Sequence, residues 1–70
     1  MSKQELGKII QDRRESLSLK QEDLAEMSGV TSKTIYLIEK GKGNPSIDSL
    51  QKLLGILGLE IIIKVKSIDE

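Results

Sequence analysis

Apolar residues recur at helical spacing through most of the chain and switch to strict alternation near its end. Ser2 followed by Glu5 has the form of a capping box. Behind it Leu6, Ile9, Ile10, Arg13, Arg14 and Leu17 repeat with a helical period, which predicts a first helix over residues 3–16. Residues 21–28 predict a short second helix with Leu24, Ala25 and Met27 inward and with Glu22 and Asp23 in the first turn, where the helix dipole favours negative charge. Gly29 breaks it and apolar Val30 follows. Thr31 is a good cap for a third helix, in which Ile35 and Ile38 face inward, Lys40 lies in the last turn and Gly41 supplies a left-handed stop. Lys42-Gly43-Asn44-Pro45 is turn chemistry, and Ser46 caps a fourth helix carrying Leu50, Leu53, Leu54 and Leu57 and ended by Gly58.

Beyond Gly58 the period changes. Leu59, Ile61, Ile63 and Val65 alternate with Glu60, Ile62, Lys64 and Lys66, the two-residue repeat of a strand rich in β-branched residues. A lone strand cannot satisfy its own backbone hydrogen bonds, and no other segment reads as a strand, so its expected partner is the same strand of a second copy. The expected fold is mainly α, with four to five helices and one C-terminal strand pairing across a homodimer. Residues 1–58 would form the helical body and residues 59–66 the dimerisation strand, with Ile61, Ile63 and Val65 pairing and Leu54 and Leu57 nearby. Residues 67–70 would form a frayed tail.

Composition narrows the chemistry. Seventy residues make one domain, and a core of that size is marginal without a metal, disulfides or a partner chain, which again favours a dimer. The absence of Cys and His removes disulfides, zinc sites, thiol nucleophiles and imidazole acid–base catalysis. The paired acids Glu22-Asp23 and Asp69-Glu70 are sequence neighbours at surface positions with no phosphate loop beside them, so no catalytic residue, metal or cofactor is expected. The N-terminus has no apolar signal segment, and Ile61-Ile62-Ile63 is far too short to cross a bilayer, so a soluble cytoplasmic protein is expected. Net charge is zero, which counts against a generic electrostatic binder of nucleic acid. Its distribution is uneven: Lys33, Lys40 and Lys42 against Glu39 leave residues 31–44 at +2.

Two short helices joined through Gly29, with Leu24 and Ala25 on one and Ile35 and Ile38 on the other, have helix-turn-helix spacing. A plain helical hairpin in a small bundle has the same spacing. The run from Lys20 to Gly41, with Gln21-x-x-Leu24-Ala25, Gly29-Val30-Thr31, Ile35-x-x-Ile38-Glu39-x-Gly41 and then Asn44-Pro45-Ser46, resembles the Cro/C1 (XRE-type) family of phage repressors and bacterial regulators. The likeness covers residues 6–58 and implies a lambda-repressor-like helix-turn-helix domain. The terminal strand is similar to that of HipB-like antitoxins, whose strands pair across the dimer.

The resemblance implies a partner, double-stranded DNA, and a set of contacts. Gln21 would meet a phosphate or base edge, and Thr31, Ser32, Lys33 and Tyr36 would face the groove. Lys33 can donate to guanine, and Tyr36 can pack on a thymine methyl or bond a phosphate. Lys40 and Lys42 would meet phosphates beyond the third helix, and Asn44 is read as a turn residue. Arg14 and Glu39 match a structural ion bridge between helices one and three that leaves other Arg14 donors for a phosphate. Lys20 departs from the usual Ser or Thr, and Leu37 from a position that is often polar. The implied function is a repressor acting as a homodimer on an inverted repeat. Two alternatives stand beside it: an antitoxin that also holds a toxin kinase, and a protein–protein module without DNA contact.

Overall fold

Each helix begins where a side chain satisfies the amides that a helix start leaves unpaired. In the computed structural model, which describes residues 1–67, α1 spans Lys3–Ser16, α2 Gln21–Ser28, α3 Ser32–Glu39 and α4 Ile47–Leu57. The Ser2 hydroxyl accepts from the Glu5 amide at 3.1 Å while the Glu5 carboxylate accepts from the Ser2 amide at 2.8 Å. Thr31 and Ser46 cap α3 and α4 by accepting from Thr34 and Ser49 at 3.2 and 3.0 Å. Lys20 has no acceptor to offer α2. The cap is made in the opposite sense, by the Asp23 carboxylate accepting from the Lys20 amide at 2.8 Å.

The turn between α2 and α3 requires glycine for its backbone angle and not for space. Gly29 has φ +77°, a region that resists L side chains, although a Cβ there would meet nothing within 4 Å. Val30 follows and is buried.

α1 packs on α3 and α4, and α2 packs on the same two helices. Between them Ile10, Leu24, Ile35, Leu53 and Leu57 are fully buried, and Val30, Ile38, Leu50 and Leu54 complete the core. Each such side chain contributes roughly 1.5–3 kcal/mol by leaving water. Leu6, Leu19, Ala25, Ile56 and Leu59 border this cluster.

α1 and α3 cross at Gly7. A Cβ on that residue would collide with the Ile38 carbonyl oxygen and lie 2.8 Å from that of Glu39. Both obstacles are backbone, so no rotamer change relieves them.

Several inward or paired positions differ from the periodic reading. Met27 and Ile9 are exposed, because α2 and α1 bury narrower stripes, centred on Leu24 and on Gly7, Ile10 and Arg14. Leu54 and Leu57, expected near a dimer contact, are buried in the core of the single chain, and Leu57 retains no surface for a second copy. Residues 59–67 have no regular secondary structure, and no strand occurs among the described residues. The physical reason is that one strand alone has no ladder to complete. The expected tail enters the described chain only at Ser67; residues 68–70 lie outside it. No described helix is long and apolar enough to cross a membrane.

Gly7→Ala is expected to destabilise the domain by about 1–3 kcal/mol through overpacking, lowering its urea midpoint. Gly55→Ala is the control, since a Cβ on Gly55 meets nothing within 4 Å. It should raise stability by about 0.5–1 kcal/mol by removing a flexible residue from a helix interior.

Candidate nucleic-acid interface

α3 is amphipathic across its width. Ile35 and Ile38 anchor it in the core, and on the opposite side Ser32, Lys33 and Tyr36 are exposed at positions that share a helix face. Lys40 continues that face one turn on, with its ammonium 5.6 Å from the centroid of the Tyr36 ring. An exposed cation–π contact of this kind is worth about 0.5–1 kcal/mol, enough to bias both rotamers and weak enough to release. Lys42 is exposed just beyond the left-handed Gly41. Thr34 and Leu37 flank the face and are half-buried. Leu37 lines a shallow depression with Lys42, Gly43, Asn44 and Pro45.

The one acid in this segment is withdrawn from the surface. Glu39 is 7% exposed and forms a two-pronged pair with Arg14, itself 8% exposed: Arg14 Nε donates to Glu39 Oε2 at 2.7 Å and Nη2 to Oε1 at 2.9 Å. Arg14 Nη1 donates to the Leu19 carbonyl at 2.7 Å, and Gln21 Nε2 donates to Glu39 Oε1 at 3.0 Å. The hydrogen bonds to Glu39, set against the cost of burial, hold the Arg14 guanidinium above its ordinary pKa, so it stays charged. One carboxylate thus joins α1, α2 and α3. Lys33, Lys40 and Lys42 stay outside, and the face presents net positive charge.

The structure also separates residues that the sequence grouped together. Ser32, Lys33, Tyr36, Lys40 and Lys42 lie exposed on or just beyond one side of α3. Thr31 is exposed, but its hydroxyl is engaged in the α3 cap and with the Thr34 hydroxyl at 3.0 Å. Gln21 is half-buried, with its amide turned to Glu39. Arg14 is buried, and each of its guanidinium nitrogens donates to a protein oxygen, which ties α1 to α3 and to the chain that follows α1.

Three contributors escaped the sequence. Lys3 Nζ donates to the Gly43 carbonyl and to Asn44 Oδ1, both at 2.7 Å, and so fixes the turn that carries Lys42. Arg13 Nε donates to the Leu57 carbonyl at 2.7 Å, closing the end of α4. Gly7 admits α3 to close range. For Gly7 a signal existed, a glycine inside a helical repeat, whereas nothing local marks Lys3 or Arg13.

Two short helices around a tight glycine turn, the second with a buried stripe and an exposed basic face, define a helix-turn-helix domain. A helix-turn-helix family model matches residues 10–63. Over 62 residues the chain is 40% identical to an HTH-type transcriptional regulator of Methanothermobacter thermautotrophicus, covering 89% of this chain and 90% of that one. It is 42% identical over 55 residues to the HTH-type transcriptional regulator PuuR of Escherichia coli, covering 79% of this chain and 30% of PuuR. A transcriptional regulatory protein of Methanocaldococcus jannaschii is 36% identical over 63 residues, 19% of its length. The chain thus spans nearly all of the first relative and under a third of the other two. It belongs to the Cro/C1 (XRE-type) helix-turn-helix family.

Arg14→Ala should leave the Glu39 carboxylate buried without its cation, costing about 3–5 kcal/mol in chemical denaturation. Replacing both ends of the pair, Arg14→Met with Glu39→Leu, should recover at least half of that loss, because no buried charge then remains.

Proposed function

We propose that this chain is a sequence-specific double-stranded DNA-binding transcriptional regulator and not an enzyme. In this reading α3 enters the major groove, with Ser32, Lys33 and Tyr36 toward base edges and Lys40 and Lys42 toward phosphates. The observation that carries it is the exposed Ser32–Lys33–Tyr36 face, backed by Ile35 and Ile38 and freed of negative charge by the Arg14–Glu39 pair. Membership of a family whose matched relatives are named transcriptional regulators supports it. Lys33 is the principal base reader, an ammonium suited to guanine O6 and N7. Gln21 and Thr31 lie at the starts of the two helices and support the backbone path. As a DNA regulator the protein works in the cytoplasm, repressing by occupying its site.

The regulator acts as a homodimer. Residues 1–58 form the DNA-binding body and residues 59–66 join two copies through Ile61, Ile63 and Val65, whose exposure in the single chain supports the assignment. A two-fold dimer presents its α3 helices to grooves about 34 Å apart, so the site is an inverted repeat.

Selection of bound fragments from random duplexes at stated ionic strength tests binding, symmetry and spacing together. An inverted repeat should emerge, with affinity falling steeply as salt is added. Lys33→Ala should weaken the selected site by about 1–3 kcal/mol and relax one position, whereas Lys42→Ala should weaken all duplexes alike and lower the salt slope by about one. Unchanged affinity in Lys33→Ala would remove the reading face from α3. Deletion of residues 60–70 should leave a helical monomer by sedimentation, since the core closes at Leu57; a stable dimer after that deletion rules out joining through the terminal segment.

A further inference from the structure

The apolar side of the last described segment is half covered. Leu59 packs partly against the core and Ile61 is 45% exposed, whereas Ile63 is 92% and Val65 98% exposed. Leu59 and Ile61 also line, with Leu54, Gly55 and Glu60, a groove of about 250 Å³ beside α4. In a strand these odd-numbered residues share one face, and Glu60, Ile62, Lys64 and Lys66 share the other.

We infer that two copies of this chain pair through residues 59–65 in an antiparallel register centred on Ile62, the bare Ile63 and Val65 of each copy covering the partly exposed Ile61 and the half-buried Leu59 of the other. The inference rests on the dimer reading above and adds the register, which nothing so far decides. Residues directly opposite in an antiparallel pair point to the same face, so the two-fold axis must pass through a residue, not between two, or the apolar face of one copy would continue the charged face of the other. Centring on Ile62 sets Glu60 opposite Lys64, Ile61 opposite Ile63 and Leu59 opposite Val65, each contact occurring twice by symmetry. Centring on Ile63 sets Ile62 against Lys64, and centring on Ile61 sets Glu60 against Ile62. Centring on Lys64 places two ammonium groups face to face. The Ile63 register also sets Glu60 opposite a lysine, Lys66, but only the Ile62 register does so while placing every apolar residue from Leu59 to Val65 opposite another apolar residue. It also brings the bare half of one copy over the α4 groove of its partner, closing both exposed apolar surfaces at once.

The chain contains no cysteine, so single-cysteine variants of the 70-residue chain report the register directly. In a glutathione redox buffer Ile62→Cys should form covalent dimer about tenfold faster than Ile61→Cys or Ile63→Cys, because only the central residue faces its own copy, at a Cβ separation of about 4.5–5.5 Å. Glu60→Lys should raise the dimer dissociation constant by about tenfold; adding Lys64→Glu should restore it and adding Lys66→Glu should not. Faster cross-linking at position 61 or 63, or rescue by Lys66→Glu, in a chain that sediments as a dimer overturns the register and leaves the dimer standing. A dimer in which none of the three variants cross-links also overturns the register. A chain that sediments as a monomer at micromolar concentration overturns both.

Discussion

The buried pair of Arg14 and Glu39 is the contact on which the exposed face of α3 depends. α3 is only eight residues long, too short to hold a helical direction by its own hydrogen bonds, so its orientation has to come from tertiary contacts. Ile35 and Ile38 supply the apolar anchor, and Glu39 supplies a directional one at the far end, gripped by Arg14 on α1 and Gln21 on α2. The desolvation of two charges offsets most of their attraction, so the pair adds little to net stability. Its contribution is geometric and electrostatic. It ties α3 to α1 and neutralises the one acid of residues 31–44, the segment that carries Lys33, Lys40 and Lys42. That resolves how a chain of zero net charge can still offer a polyanion a positive face.

The pair can form at 2.7 Å only because the helices carrying it come close. Gly7 allows that approach by removing the side chain that would strike the α3 carbonyls, and Lys3 continues the contact by binding the turn after α3. α1 is therefore the backing plate of the interface without being part of its surface: Gly7, Ile10 and Arg14 set the depth, hydrophobic support and orientation of α3. The turn that holds Lys42 is tied to α1 by the same contacts, which limits the conformations open to its backbone.

At the other end the chain leaves an imbalance. The body closes its core at Leu57, yet apolar residues continue to Val65 with steadily less cover. Isolated apolar side chains on a surface are ordinary, but a periodic row of them with charges on the alternate positions is not. A small domain that buries a limited core gains most from a partner that hides such a row, which couples oligomeric state to stability.

The sequence by itself determined the helices. Ser2, Thr31 and Ser46 mark their starts and Gly29, Gly41 and Gly58 their ends through interactions spanning three or four residues, and such local chemistry is fully written in the order of residues. It also set most of the aliphatic core, with Ile9, Leu17 and Met27 the exceptions, and placed Ser32, Lys33 and Tyr36 on one side of α3, since periodicity fixes a helix face. The tertiary structure decided what required distance in space between residues far apart in the chain. It paired Arg14 with Glu39 in a buried contact, turned the Gln21 amide toward Glu39, put Leu57 in the chain's own core, and joined Lys3 to Gly43 and Arg13 to Leu57 across forty or more positions. Periodicity reports which side of a helix is apolar; which neighbour covers that side depends on crossing angles and close approaches that no single segment encodes.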